Sequence, residues 1–402
     1  MLRHAQAFHN LNNWSHLPDE LQAVIRRTLQ DRFWQSGISN ESKEDFYARI
    51  SGSKTSYEGF ASTVRGTMRN IREQGYQIIY LMTKFDEQFY STESLAVPLA
   101  EALFADAEAL SANHLHPIIN LATGLVSRCP PHYREGFLPP LLKELFTKLD
   151  AKISQEWEAI GAAHDRNASE ADELGDEMRV ESVLRQLTFS MVSFVPFLLE
   201  YDRQQQQPTP PLRNGTAATN GSSHHHHAPA RHPTLSEIVL SDPSVLEPLM
   251  LFCTHALRMR DTRCCTIICK AFRTIIPLFQ APTTPNPTSP PTISSFNNNN
   301  DNAAQVREFI STAVLQSCIT SLHDPYFADM QKDLASLIAH VILLYSPSTD
   351  TPREVLCSLP DMTVARVEKA FARIGKAGGS ERVLRAVVLE LLEGVRGVGI
   401  YE

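Results

Sequence analysis

Apolar residues recur along most of this chain at the helical period. In the clearest case Leu138, Leu141, Leu142, Leu145, Phe146, Leu149, Ile153 and Trp157 share one stripe, while Lys143, Glu144, Lys148, Lys152 and Glu156 take the other side. Such a stripe predicts a long amphipathic helix with one buried face. The same spacing predicts helices through Leu21, Val24, Ile25, Leu29 and Phe33, through Phe60, Val64, Met68 and Ile71 continuing over 78–82, and through Leu95, Leu99, Leu103 and Phe104. It returns in Val364, Val367, Phe371 and Ile374, then in Val383, Leu384, Val387, Val388, Leu391 and Leu392. No run alternates as a strand does, and no Asn-Gly turn joins two apolar runs, so the expected fold class is all-α.

A repeat emerges in the second half. An apolar helix (Leu246, Leu249, Met250, Phe252, Cys253, Leu257), a polar turn at Met259, Arg260, Asp261 and Thr262, and a second apolar helix (Cys265, Ile268, Phe272, Ile275, Ile276, Phe279) follow one another. The order recurs as Phe309, Ile310, Val314, Leu315 and Ile319, the turn Leu322, His323, Asp324, Pro325, then Phe327, Met330, Leu334, Leu337, Ile338 and Val341. Each Asp stands where a helix N-cap belongs, and Pro325 fits the first helical position, where an N–H is not needed. Asp324 follows Asp261 by 63 residues, 22 of them in the tract 281–302, which leaves 41. That period lies within the roughly 40 to 47 residues of HEAT or armadillo units. The sequence therefore predicts an α-solenoid, a right-handed superhelix of antiparallel helix pairs, each half-covering the next.

Two tracts interrupt the pattern. Residues 204–233 hold Gln204, Gln205, Gln206 and Gln207, several prolines, and His224, His225, His226 and His227. Residues 281–302 are rich in Pro, Thr and Ser and end in an asparagine run. Neither has enough apolar surface to offset its chain entropy, and both are expected to be disordered insertions. The expected organisation is HEAT-like repeats over 1–203, a helix pair over 234–280 and C-terminal HEAT-like helices over 303–402, separated by the insertions 204–233 and 281–302.

Composition adjusts this picture little. Apolar residues make up 43% of the 402, enough for a core, and the longest dominantly apolar stretch, 187–201, spans 15 residues. A bilayer needs roughly 20, so no membrane insertion is expected. The first residues lack the order of a secretory signal, and the seven cysteines are odd in number, with Cys264, Cys265 and Cys269 in one apolar run. Reduced core thiols inside the cell are the expectation. The net charge of -8 argues against a surface coated by nucleic acid.

Motifs for catalysis are missing: there is no Gly-x-Ser-x-Gly, His-Glu-x-x-His, phosphate-binding Gly-x-x-x-x-Gly-Lys or dinucleotide-binding Gly-x-Gly-x-x-Gly after a strand. Gly394, Gly397 and Gly399 follow a helix and suit capping. No catalytic residue, cofactor or metal site is expected, the histidine run at 224–227 having no supporting shell. The candidates that remain are cationic. Arg65, Arg69 and Arg72 step by four and three along one helix, a row able to grip phosphate on a cargo, against which stands the commoner reading of a solvated face paired with Glu58, Glu73 or a neighbouring repeat. Arg258, Arg260, Arg263, Lys270 and Arg273 form a second cluster around the repeat turn, with the same two readings.

Several stretches resemble the C-terminal portion of the exportin-5 group of β-karyopherins, in the fungal branch that exports phosphoproteins. They are Arg32-Phe33-Trp34-Gln35-Ser36-Gly37-Ile38, Lys54-Thr55 with Glu58-Gly59-Phe60-Ala61-Ser62-Thr63-Val64-Arg65-Gly66-Thr67, Phe137-Leu138-Pro139-Pro140-Leu141-Leu142, and Leu391-Leu392-Glu393-Gly394-Val395-Arg396-Gly397-Val398. The resemblance implies a HEAT-repeat nuclear export receptor that encloses cargo together with the GTP form of the Ran GTPase and shuttles between nucleus and cytoplasm. Implied partners are phosphoprotein cargo, double-stranded RNA or tRNA, and nuclear pore proteins. Members of that group are much longer, and the N-terminal repeats that hold most of the Ran contact have no counterpart here, so Met1 is expected to begin a fragment. The competing reading is a helical-repeat scaffold that assembles complexes without Ran.

Overall fold

A computed structural model describes residues 1–29, 57–92, 94–166, 174–205, 232–281 and 300–395, with isolated positions between 42 and 48. Numbering the α-helices of more than one turn, α1 is Leu2–Ala7, α2 Asp19–Leu29, α3 Tyr57–Met82, α4 Ala96–Phe104, α5 Ala112–Arg128, α6 Arg134–Arg166, α7 Leu174–Gln205 and α8 Leu235–Ser241. They continue as α9 Pro243–Ala256, α10 Thr262–Ile275, α11 Asn300–Phe309, α12 Leu315–His323, α13 Gln331–Tyr345, α14 Thr351–Cys357, α15 Val364–Lys376 and α16 Glu381–Leu392. No strand occurs among the described residues.

The helices form two layers. In one, α3, α5, α7, α10, α13 and α16 each pack on the next; in the other, α4, α6 and α9 do the same. Chain neighbours cross between layers, as α9 with α10, α12 with α13 and α15 with α16. This is a HEAT-repeat stack, and its core runs unbroken from Tyr76 to Leu392 as one apolar seam.

The stripe of α6 is buried as its spacing requires: Leu138, Leu141, Leu142, Leu145, Phe146, Leu149 and Ile153 lie inside, with Trp157 at the margin. So do the paired stripes of α9 and α10 and of α12 and α13. The repeat turns are fixed locally. Asp261 accepts hydrogen bonds from the N–H groups of Arg263 and Cys264, and Asp324 accepts from Tyr326, with Pro325 in the first helical position. Asp324 caps a short 3-10 segment, Pro325–Met330, before α13 begins. Between α11 and α12 the chain makes one π turn, Ile310–Val314, with Ile310 and Val314 in the core.

Two other stripes face outward. Leu21 and Val24 of α2 are 50% and 46% exposed, and Phe60 and Ile78 of α3 are 57% and 56% exposed. Val364 and Val383, placed in the final stripes by spacing, are exposed where α15 and α16 begin, while the rest of both stripes is buried.

The helix α7 corrects the membrane argument drawn from contiguous residues. Its segment Val180–Arg203 is long and apolar enough by composition to cross a bilayer. In this fold Leu184, Leu187, Met191, Val192, Val195 and Leu198 supply the centre of the core between α5 and α10.

The insertions lie mostly outside the described residues, but their edges are defined. Gln204 and Gln205 complete α7, and Asn300, Asp301 and Asn302 open α11, where Asp301 suits the positive end of a helix. Asp202 holds the two flanks of the first tract side by side: it pairs with Arg134 at 2.9 Å and accepts the Leu235 N–H at 2.6 Å. Arg307 likewise donates to the Phe279 carbonyl at 3.0 Å, tying the flanks of the second. All seven cysteines are free, and burial pushes the Cys129 thiol up to about 12.

Candidate phosphate contacts and the arginine ladder

The row Arg65, Arg69, Arg72 does share one side of α3, but that side is where α1 and α2 dock. Arg72 is 2% exposed; its Nη1 donates to the Ala5 carbonyl at 3.4 Å and meets His9 Nε2 at 2.7 Å. Arg65 is half-buried and donates to the Thr28 carbonyl at 2.7 Å. Arg69 alone of the three is exposed. Arg72 is therefore withdrawn as a phosphate contact, because a guanidinium enclosed by α1 and α3 presents nothing to a cargo, and Arg65 is engaged at the helix junction.

The surroundings of Arg72 form a buried polar junction. Gln6 donates to Tyr76 Oη at 3.1 Å and to the Leu103 carbonyl at 2.9 Å, linking α1, α3 and α4. The His114 ring lies 5.7 Å from that of His9, and burial, with the charges of Arg72 and Arg69, lowers its pKa to about 4. A histidine kept neutral in the folded state contributes stability above its unfolded value, about 6.5, and that contribution falls away as pH drops toward the folded value. Replacing Arg72 by Ala is expected to cost roughly 2–3 kcal/mol through lost packing and stranded acceptors, while Arg69→Ala stays within about 0.5 kcal/mol. Thermal unfolding of both variants checks this.

The second cluster is a ladder of paired charges, not a free basic strip. Arg263 pairs with Asp261 at 2.9 Å, and Arg260 with Asp324 at 3.4 Å in the next repeat. Arg273 of α10 reaches Asp333 of α13 at 3.2 Å and Glu381 of α16 at 3.9 Å. Lys270 is exposed. The hub is a residue that sequence reasoning did not single out. Arg185 of α7 binds Glu181 at 2.5 Å, lies 3.7 Å from Asp261, donates to the Arg260 carbonyl and reaches Tyr326 Oη at 3.1 Å. It also lies over the Trp157 ring at 5.2 Å, and Trp157 donates to Thr188 at 3.0 Å. The pair with Glu181 is local, but no motif announces Arg185 as a hub, since Arg260 and Tyr326 are 75 and 141 residues away in sequence.

Two further features complete the surface. His255 of α9 meets the buried Asp150 of α6 at 2.9 Å, and a groove of mixed polarity, about 230 Å³, opens between α9 and α11, where Glu247, Asn302 and Gln305 join Leu246, Met250, Val306 and Phe309. Among the described residues no three His, Cys, Asp or Glu side chains come together to hold a metal ion. The histidine run at 224–227 lies outside the described residues. What the charged groups do is cross-brace successive helix pairs.

Comparison with known proteins points one way. The family model described as Exportin-5 matches residues 1–398. An uncharacterized protein of Schizosaccharomyces pombe is 28% identical over 385 residues, 93% of this chain and 29% of its own length. Protein MSN5 of Saccharomyces cerevisiae is 24% identical over 66% of this chain and 21% of its own length. Exportin-5 of Homo sapiens is 30% identical over 115 residues, 27% of this chain and 10% of its own length. The chain thus spans under a third of the length of these relatives.

Proposed function

This chain belongs to the Exportin-5 family, and from that premise we propose that it is part of a nuclear export receptor, a carrier and not an enzyme. It holds cargo together with the GTP form of the Ran GTPase and shuttles between nucleus and cytoplasm past nuclear pore proteins. The observation that carries the reading is the family match over 1–398 on a stack of helix pairs. Helix packing is mainly between neighbouring pairs, with side-chain links such as Arg185–Tyr326 and Arg273–Glu381 reaching one pair further, so small adjustments per repeat accumulate into a change of curvature, and a ligand that favours one curvature changes the affinity for another.

Of the cargo classes, protein suits this chain better than double-stranded RNA or tRNA. The net charge is -8, and its two arginine clusters are largely spent on Ala5, Thr28, Asp261, Asp324 and Asp333. RNA binding draws on unpaired cations and shows a steep salt dependence. The test is capture from nuclear extract on the immobilised Schizosaccharomyces pombe relative with its matched stretch replaced by this chain, with Ran locked in its GTP form or loaded with GDP. Capture of Ran and phosphoprotein with the GTP form alone is the expected result. Equal capture in both nucleotide states would replace the receptor with a plain scaffold.

A further inference from the structure

Within their layer α4, α6 and α9 lie closely against one another, but beyond α9 the layer parts to form the groove facing α11. The two repeats are held together at the far ends of their helices, where Ser321 of α12 donates to the Leu257 carbonyl at 2.8 Å. Toward the starts of α9 and α11 they leave a space of about 230 Å³. Its floor is apolar: Leu246, Met250 and Val306 are 2%, 3% and 8% exposed, with the half-buried Phe309 beside them. The lining residues of α11 share one helix face from Asn302 to Phe309, so the groove runs along it for roughly 10 Å.

The rim has one sign of charge. Glu247 of α9 lines the groove, and Asp301 and Glu308 of α11, both exposed, stand on either side of the lining residue Gln305 at steps of four and three. Helix α9 has no lysine or arginine, and its His255 is paired with Asp150. The cation of α11, Arg307, reaches the Phe279 carbonyl and does not line the groove. Leu251, one turn on from Glu247, adds an apolar edge that is 37% exposed.

We infer that this groove is the docking site of a basic amphipathic helix from a partner protein. Two of its apolar side chains, one turn apart, fill the floor, while its lysines or arginines meet Glu247, Asp301 and Glu308. Length selects the anchors: side chains at i and i+4 lie about 5–6 Å apart, so two fit along the groove. Charge selects the flanks, since a rim of carboxylates repels nucleic acid or an acidic segment and steers a basic one. Met250 in the floor is unbranched and adapts to the shape of the anchor. The inference rests on the lining of the groove and draws nothing from transport, so it stands or falls apart from the Ran experiment.

The test titrates the 402-residue chain with a fluorescent peptide of about 15 residues, alanine-rich to hold a helix, with leucines at i and i+4 on one side and lysines on the others. Binding is expected, and it should fall at least about tenfold when both leucines become alanine or when the lysines become glutamate. On the chain, Glu247→Lys with Asp301→Lys is expected to weaken binding at least about tenfold; both side chains are exposed, so melting should stay unchanged. Glu73→Lys with Glu158→Lys, on α3 and α6, makes the same change in net charge away from the groove and is expected to leave binding intact. Absence of binding, indifference to the leucines, or equal loss in the two charge-reversed chains would overturn the inference. So would binding that appears only when residues 282–299 are replaced by a Gly/Ser linker, which would give the groove to that tract. A dimer of the chain dissolved by Glu247→Lys with Asp301→Lys would overturn it too, giving the groove to a second copy.

Discussion

Replacing Asp261 by Ala is expected to destabilise the second half of the stack by about 2–4 kcal/mol, more than any other single change at a repeat turn. The carboxylate is 2% exposed and does several things at once. Its Oδ1 accepts the N–H groups of Arg263 at 3.0 Å and Cys264 at 3.2 Å, closing the first turn of α10. Its Oδ2 meets Arg263 Nη2 at 2.9 Å and lies 3.7 Å from Arg185 Nη1. Losing an N-cap costs about 1 kcal/mol, and stranding buried donors adds roughly 1–3 kcal/mol. Asp261→Asn keeps an oxygen for the cap and is expected to lose about half as much. The two variants also separate in acid. Burial alone would raise this carboxyl; the hydrogen bonds from Arg263 and Cys264 and the charges of Arg263 and Arg185 outweigh it and hold the pKa below the ordinary value. The stability that follows is fully present above the unfolded value, about 3.9, and is lost as pH falls through the lower folded value. Melting curves from pH 7 down to pH 3 should therefore show the native chain losing ground that Asp261→Asn has already lost. Parallel acid profiles would remove the electrostatic part of the argument and leave the cap.

How much of this was legible beforehand depends on how local the cause is. The α6 stripe from Leu138 to Ile153 and the Asp-capped turns at Asp261 and Asp324 follow from spacing and N-cap chemistry within a few residues, and they stand as read. The membership of a face was also legible, since Arg65, Arg69 and Arg72 do share one. Which face meets a neighbour was not. Periodicity says that Phe60 and Ile78 lie together but not that α1 and α2 cover the opposite side, because the burial of Arg72 depends on Ala5, 67 residues earlier. The hub at Arg185 is hidden for the same reason: beyond Glu181 and Trp157, the groups it joins belong to later repeats. Asn300, Asp301 and Asn302 misled through composition, for polar residues start a helix well when a buried stretch such as Val306 and Ile310 follows.

Phe146→Ala should cost about 3–5 kcal/mol, the loss typical of a large aromatic side chain removed from a packed interior. Phe146 is fully buried, with ring centroids 5.9 Å from Phe252 of α9 and 6.2 Å from Phe194 of α7, so one ring joins both layers across consecutive pairs. The cavity has little means of closing, because α6 is held by α4 and α9 at once. Where that loss is felt distinguishes a solenoid from a globule. With helix packing mainly between nearest neighbours, amide exchange should quicken in α6, α7 and α9 and stay slow in α13 and α16, two or more pairs away. A globular core would instead lose protection everywhere together. The proposed carrier role asks for the same locality: a stack whose pairs loosen one at a time changes curvature in small steps, and the ladder through Arg185, Arg260 and Arg273 links successive pairs. Uniform exchange across α6 to α16 in the Phe146→Ala chain would deny the stack that independence, and with it the physical basis for coupling cargo to a second ligand through curvature.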